Sequence, residues 1–175
     1  MRVANDNDIG VPKRKSNRLQ HYDYSQNGVY FITLCTKGMK NVLWCDVGAS
    51  IARPTAAGVL SKSGATVETA IADIPSHYPC VSVDKYVVMP NHVHMIMVID
   101  SDVEGGRTLC APTVSRIVKQ MKEAVTKRIG AAIWQKSFHD RVIRNHKEYV
   151  QIWEYIDTNM VKWDEDCYYT EVERS

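Results

Sequence analysis

At 175 residues the chain is long enough to bury a core without disulfides or a structural metal. Its 45% hydrophobic and 24% charged composition is that of an ordinary globular protein, and its net charge of +2 does not by itself announce a polyanion partner. No apolar run is long enough to cross a bilayer, and MRVANDNDIG has no hydrophobic segment of signal-peptide type, so a cytoplasmic protein away from membranes is expected. The five cysteines (Cys35, Cys45, Cys80, Cys110 and Cys167) are scattered with no C-x-x-C, which argues for reduced thiols rather than a zinc knuckle or disulfide framework.

In chain order, residues 1–20 read as a polar, basic arm containing Arg2, Lys13, Arg14, Lys15 and Arg18. The β-branched and aromatic run from Val29 to Thr36 predicts a strand, with Gly28 as the turn before it. A helix is expected from near Thr55 to just before His77, burying Leu60, Val67, Ile71 and Ile74. Gly58 and Gly64 weaken its first half. Val81–Val88 and His92–Ile99 read as two neighbouring strands separated by Pro90-Asn91, because proline cannot donate to a ladder. Residues 101–112 read as a loop. A helix then starts at Pro112 or Thr113, with Val114, Ile117, Val118, Met121, Ala124, Val125 and Ile129 at helical spacing. Its outer face is basic, through Arg116, Lys119, Lys122, Lys127 and Arg128. Residues 134–144 suit a strand or extended connection. A last helix over about 146–163 places Tyr149, Ile152, Trp153, Ile156, Met160 and Trp163 on one stripe. Strands and helices without strict βαβ alternation predict an α+β fold, an antiparallel sheet with helices packed against it.

Two constellations carry chemistry. Residues two apart on a strand share a face, so His92 and His94 project side by side and can clamp one divalent ion. The alternate residues Val93, Met95, Met97 and Ile99 are apolar and should face packed protein, which makes the strand central. By itself an H-x-H pair is equally what two structural histidines look like. On the last helix, Gln151, Tyr155, Asn159 and Lys162 recur at spacings that put them on one polar face. Alone, Tyr155 reads as an ordinary amphipathic tyrosine.

Taken together and in order, DYSQNGVYFITLCTKG (23–38), YVVMPNHVHMIMVI (86–99), WQKSFHDRVIR (134–144) and YIDTNMVKW (155–163) resemble the REP-associated tyrosine transposases, relatives of the HUH single-tyrosine transposases of small bacterial insertion sequences. The resemblance spans residues 18–163. It implies a ferredoxin-like domain over 21–163, between the arm (1–20) and an acidic tail (164–175). It implies a metal-dependent single-stranded DNA endonuclease and strand transferase, acting on hairpin-associated or repeat DNA through a 5′-phosphotyrosine intermediate. By motif, His92 and His94 are the ligands of Mg²⁺ or Mn²⁺, Tyr155 is the nucleophile, and Asn159, one turn on, is a third ligand. Lys119, Lys122, Arg116, Arg14 and Arg18 are the expected phosphate contacts. The family includes dimers with shared active sites and monomers, so both states stay open. A domesticated relative that binds hairpin or single-stranded DNA without cutting is the alternative, and a hydrolase using only the histidines is a third reading. The chain departs from the family at Met160, where a proline is usual, at His139, where a tyrosine is usual, and in its short acidic tail, where relatives often carry a longer basic extension.

Overall fold

The computed structural model describes residues 26–45, 60–100 and 112–169. Its elements are β1 (Gly28–Cys35), α1 (Lys62–Ala72), a single turn α2 (Ile74–His77), β2 (Val81–Val88), β3 (His92–Ile99), α3 (Val114–Ile129), β4 (His139–Ile143) and α4 (His146–Asn159). The four strands form one antiparallel sheet in the order β2-β3-β1-β4. Each helix crossover therefore skips one strand: β1 and β2 flank β3, and β3 and β4 flank β1. This is the interleaved β-α-β arrangement of a ferredoxin-like α+β domain.

Strand alternation sorts side chains between two layers. Tyr30, Ile32 and Leu34 of β1 and Val93, Met95, Met97 and Ile99 of β3 turn to one face, against Val67 and Ile71 of α1 and Ile117, Val118 and Val125 of α3. The apolar half of β3 is thus packed, and the strand is central, as its sequence predicts. On the opposite face Ile96 joins Val87, Met89 and Ile143 beneath Ile152 and Ile156 of α4, with Trp163 closing the cluster. Each fully buried aliphatic side chain contributes roughly 1.5–3 kcal/mol, so α4 is firmly seated. It carries its polar residues onto the sheet's second face.

Helix ends follow local chemistry. Ser61 caps α1, Thr113 caps α3 and Asn145 caps α4, each side-chain oxygen accepting a backbone N–H three residues on. Gly130 ends α3 in the left-handed conformation. Three expectations are corrected. The first helix begins at Lys62, not near Thr55, since Leu60 is in a bridge with Trp44. Ala124 is exposed, lying outside the buried stripe of α3. The last helix stops at Asn159 and gives way to a 3-10 turn over Trp163–Glu165. Most of the predicted loop 101–112 lies outside the described residues. Among the described residues no helix is long and apolar enough to cross a membrane.

Candidate active site

The site lies on the α4 face, where the facing strands β1 and β3 set its floor. Their register places Thr33 opposite His94 and Cys35 opposite His92. Both imidazoles are shut off from solvent, His92 at 0% and His94 at 1% exposure, with ring centroids 4.4 Å apart. Burial is the main cause that lowers both from the usual 6.5, His92 to about 4 and His94 to about 3. The neighbouring His92 lowers His94 further, while Asp166 pulls both the other way. Both rings are neutral at pH 7, the state in which imidazole is a ligand.

Neighbouring groups orient the rings. The amide nitrogen of Asn91 donates to the carbonyl oxygens of Tyr168 (2.8 Å) and Met39 (3.3 Å), which leaves its oxygen to accept from His92 Nδ1 at 2.9 Å. His92 Nδ1 therefore carries the proton, and Nε2 presents a lone pair that has no hydrogen-bond partner. His94 Nδ1 is 2.9 Å from Thr33 Oγ1 and its Nε2 is 3.1 Å from the Tyr155 hydroxyl. Phe31 stacks on His94 and meets Tyr155 edge-on.

Helix α4 contributes Tyr155 and Asn159, one turn apart. The structure splits the polar face read from sequence: Asn159 is buried at 3%, Tyr155 is 39% exposed, and Gln151 and Lys162 point to solvent. Asp166, which in sequence belongs only to an acidic tail, completes the cluster. Its Oδ2 accepts from the Tyr155 hydroxyl (3.0 Å) and Asn159 Nδ2 (2.6 Å), and its Oδ1 from the backbone N–H of Tyr168 (2.7 Å). Burial works to raise the Asp166 carboxyl, but these bonds and the nearby His92 outweigh it and hold the group below the usual carboxylate range. The same contact keeps Tyr155 protonated: burial first, then the Asp166 charge and hydrogen bond, push its hydroxyl well above 10.

A divalent ion fits here. One ligand atom from each of His92, His94 and Asp166 falls within 4.8 Å of the others. His92 Nε2 and Asn159 Oδ1 are both buried without a partner, and an unpaired buried acceptor is costly unless something else satisfies it. The residues around these donors form a strap. Trp163 and Tyr168 lie 5.8 and 4.7 Å from the His92 ring, and Tyr168 is 5.8 Å from His94.

Of the residues that the sequence points to, the structure brings His92, His94, Tyr155 and Asn159 together. The sequence does not point to Asp166, Asn91, Thr33 or Tyr168. Asn91 lies within the PNHVH segment, where a hydrogen-bonding residue beside a paired histidine is a usable signal. Asp166 has none, since spacing does not tell that residues after α4 turn back. Of the expected phosphate contacts, Arg14 and Arg18 lie outside the described residues. Arg116 and Lys119 are exposed on α3, on the other side of the sheet from Tyr155. Lys122 is half-buried, with Nζ 2.5 Å from the Gln135 carbonyl oxygen. His139 is exposed at the start of β4.

No known family profile matches the chain. A Haemophilus influenzae protein of uncharacterized function is 33% identical over 180 aligned positions, covering 93% of this chain and 96% of that one. The chain belongs to the family of that protein. Among solved structures, a REP-associated tyrosine transposase bound to a REP hairpin superposes with a TM-score of 0.57 at 23% identity, over 85% of this chain and 74% of that one. The chain thus has the fold that its sequence segments resemble. A candidate transposase from Deinococcus radiodurans aligns with a TM-score of 0.45 at 17% identity, over 82% of this chain and 98% of that one.

Proposed function

We infer that the protein is a metal-dependent endonuclease and strand transferase for single-stranded DNA, with Tyr155 as its nucleophile. The observation that carries this reading is the meeting of Tyr155 with His94 at 3.1 Å beside a second buried, neutral histidine whose lone pair is unpaired. A tyrosine placed only for packing needs no such neighbours. The fold shared with a transposase solved on a REP hairpin supports DNA, and hairpin-associated DNA in particular, as the substrate.

His92, through its unpaired Nε2, and His94 would hold Mg²⁺ or Mn²⁺, with oxygen donors from Asp166 and Asn159. A carboxylate suits these hard cations better than an amide alone, so Asp166 joins Asn159 in the ligand set. When bound, the ion supplies Lewis-acid polarisation of the scissile phosphate. The chain's own residues do the rest. Burial and Thr33 fix the His94 ring, Asn91 fixes the His92 ring, and α4 sets Tyr155 at the open side of the site, where a strand can reach it. A phenol with a pKa near 10 is a weak nucleophile at neutral pH, so its proton must leave as the oxygen attacks. Attack in line forms a 5′-phosphotyrosine and frees a 3′-hydroxyl. The ester conserves the bond, so a second 3′-hydroxyl can displace Tyr155 and rejoin strands without ATP.

The test is incubation with labelled hairpin-bearing single strands and Mn²⁺, followed by denaturing gels. A covalent adduct is expected from the wild type and none from Tyr155→Phe, which should still bind Mn²⁺ in calorimetry. An adduct that persists in Tyr155→Phe overturns the nucleophile. DNA and metal binding without any adduct would favour a non-cleaving relative instead.

A further inference from the structure

A groove of about 610 Å³ runs between α3 and the segment leading into β4, on the side of the sheet away from Tyr155. Val118, Trp134 and Phe138 line it, and its cationic lining is the exposed Lys119, Lys127 and Lys136 together with the half-buried Lys122. We propose that this groove is a second nucleic-acid subsite, holding an unpaired stretch of the strand whose scissile phosphate sits at Tyr155. The proposal rests on the DNA reading above and deepens it.

The groove's chemistry selects an unpaired strand. Lysines around apolar and aromatic side chains match a chain of phosphates whose bases are free to stack. A duplex keeps its bases stacked inside and offers only its backbone, so it would leave the partly exposed Phe138 ring, which packs against the core that holds the buried Trp134, without a stacking partner. The acid lining the groove, Glu123, is 3.8 Å from Lys119 with both side chains mostly exposed, a weak pair that a phosphate readily displaces. Lys122 acts differently from the other lysines. Its ammonium is bonded to the Gln135 carbonyl and reaches that of Lys136 at 3.4 Å, so it pins the opposite wall to α3. Lys122 is a positioning residue, and Lys119, Lys127 and Lys136 are the exposed contacts.

The groove is also joined to the active site. Its wall is stitched to the end of β1: Gln135 N–H donates to Cys35, Lys37 N–H donates to Ile133, and Thr36 bridges to Trp134. Cys35 is the cross-strand partner of His92. A strand running from Tyr155 around this end of the sheet would reach the groove, a turn that suits an unpaired strand better than a stiff blunt helix.

The experiment measures fluorescence anisotropy of the full chain on a hairpin with unpaired extensions of increasing length and on the blunt hairpin, across a salt series. Wild type and the Lys119→Gln/Lys136→Gln double variant are compared, both at sites where folding should survive. Affinity gained with extension length is expected in the wild type and largely lost in the variant. The slope of log affinity against log salt should fall by about 1.4, near 0.7 for each lost phosphate contact. An unchanged slope, or an equal loss on blunt and extended hairpins, overturns the proposal, the latter in favour of a duplex surface. Adduct formation by the wild type on a short oligonucleotide, run in parallel, reports on the Tyr155 reading separately. If adduct forms but the extension adds no affinity, only the groove proposal fails; if neither binding nor adduct is seen, both fail.

Discussion

Replacing Asn91 by alanine tests how the site is built, because one buried side chain holds two parts of it. Asn91 is fully buried; its oxygen fixes the His92 ring at 2.9 Å, and its nitrogen holds the strap through the Tyr168 carbonyl at 2.8 Å. In Asn91→Ala the His92 Nδ1–H loses its acceptor in a closed space, a cost of about 1–3 kcal/mol. The Tyr168 and Met39 carbonyls each lose a donor, at about 0.5–1.5 kcal/mol apiece where water does not replace it. These terms come to about 2–6 kcal/mol, and the middle of that range, about 4 kcal/mol, lowers the midpoint of thermal unfolding by about 8–16 °C in a domain of this size. With its orienting partner gone, His92 should also bind metal about 10–100-fold more weakly. The assay is thermal unfolding in EDTA together with calorimetric titration of Mn²⁺. Asn91→Asp restores an acceptor for His92 but gives up both donors, so metal affinity should return while the strap stays loosened. An Asn91→Ala protein that melts with the wild type and binds Mn²⁺ equally well would refute the assignment of the His92 tautomer and of the strap's anchor.

Two further outcomes follow from the structure. In EDTA, stability should fall as the pH drops below 6.5: the unfolded chain takes up protons there, while folded His92 and His94 resist until about 4 and 3. Asp166, held below its usual range, extends the loss to lower pH. Urea unfolding between pH 7.5 and 5 should show the decline, and His92→Gln/His94→Gln should flatten it; a wild type with a level profile would mean that the imidazoles are not buried neutral. Gly64→Ala in the first turn of α1 should destabilise the domain by about 1–3 kcal/mol, because the added methyl would collide with the Leu43 backbone carbonyl. Thermal unfolding reads this directly, and an unchanged midpoint would show that the 43–64 contact yields freely.

The two halves of the site differ in how far the sequence exposes them. His92 and His94 are legible because a strand has a period of two, and the apolar alternation of Val93 to Ile99 marks which face is packed. Tyr155 and Asn159 are legible as a pair because four residues make about one helical turn. Neither pattern says that the strand and the helix meet; the resemblance of whole segments implied it. The start of α1 is not legible, because the Leu60–Ile74 spacing looks like one helix while Leu60 pairs with Trp44 before Ser61 caps the helix.

Local periodicity and capping thus determine the elements: where strands alternate, where Thr113 and Asn145 begin helices, and which stripe each helix buries. These depend on residues within a turn or two of one another, so the sequence carries them openly. The tertiary structure alone decides what depends on distant parts of the chain arriving together. It seats α4 across β3 so that Tyr155 reaches His94, and it turns the chain back after Trp163 so that Asp166 joins the histidines. It also commits the charge of Lys122 to a wall of backbone carbonyls while leaving Lys119 exposed in a weak pair with Glu123. A charge or carboxylate carries no mark of its eventual partner, because electrostatic and hydrogen-bond energies depend on position in space rather than along the chain.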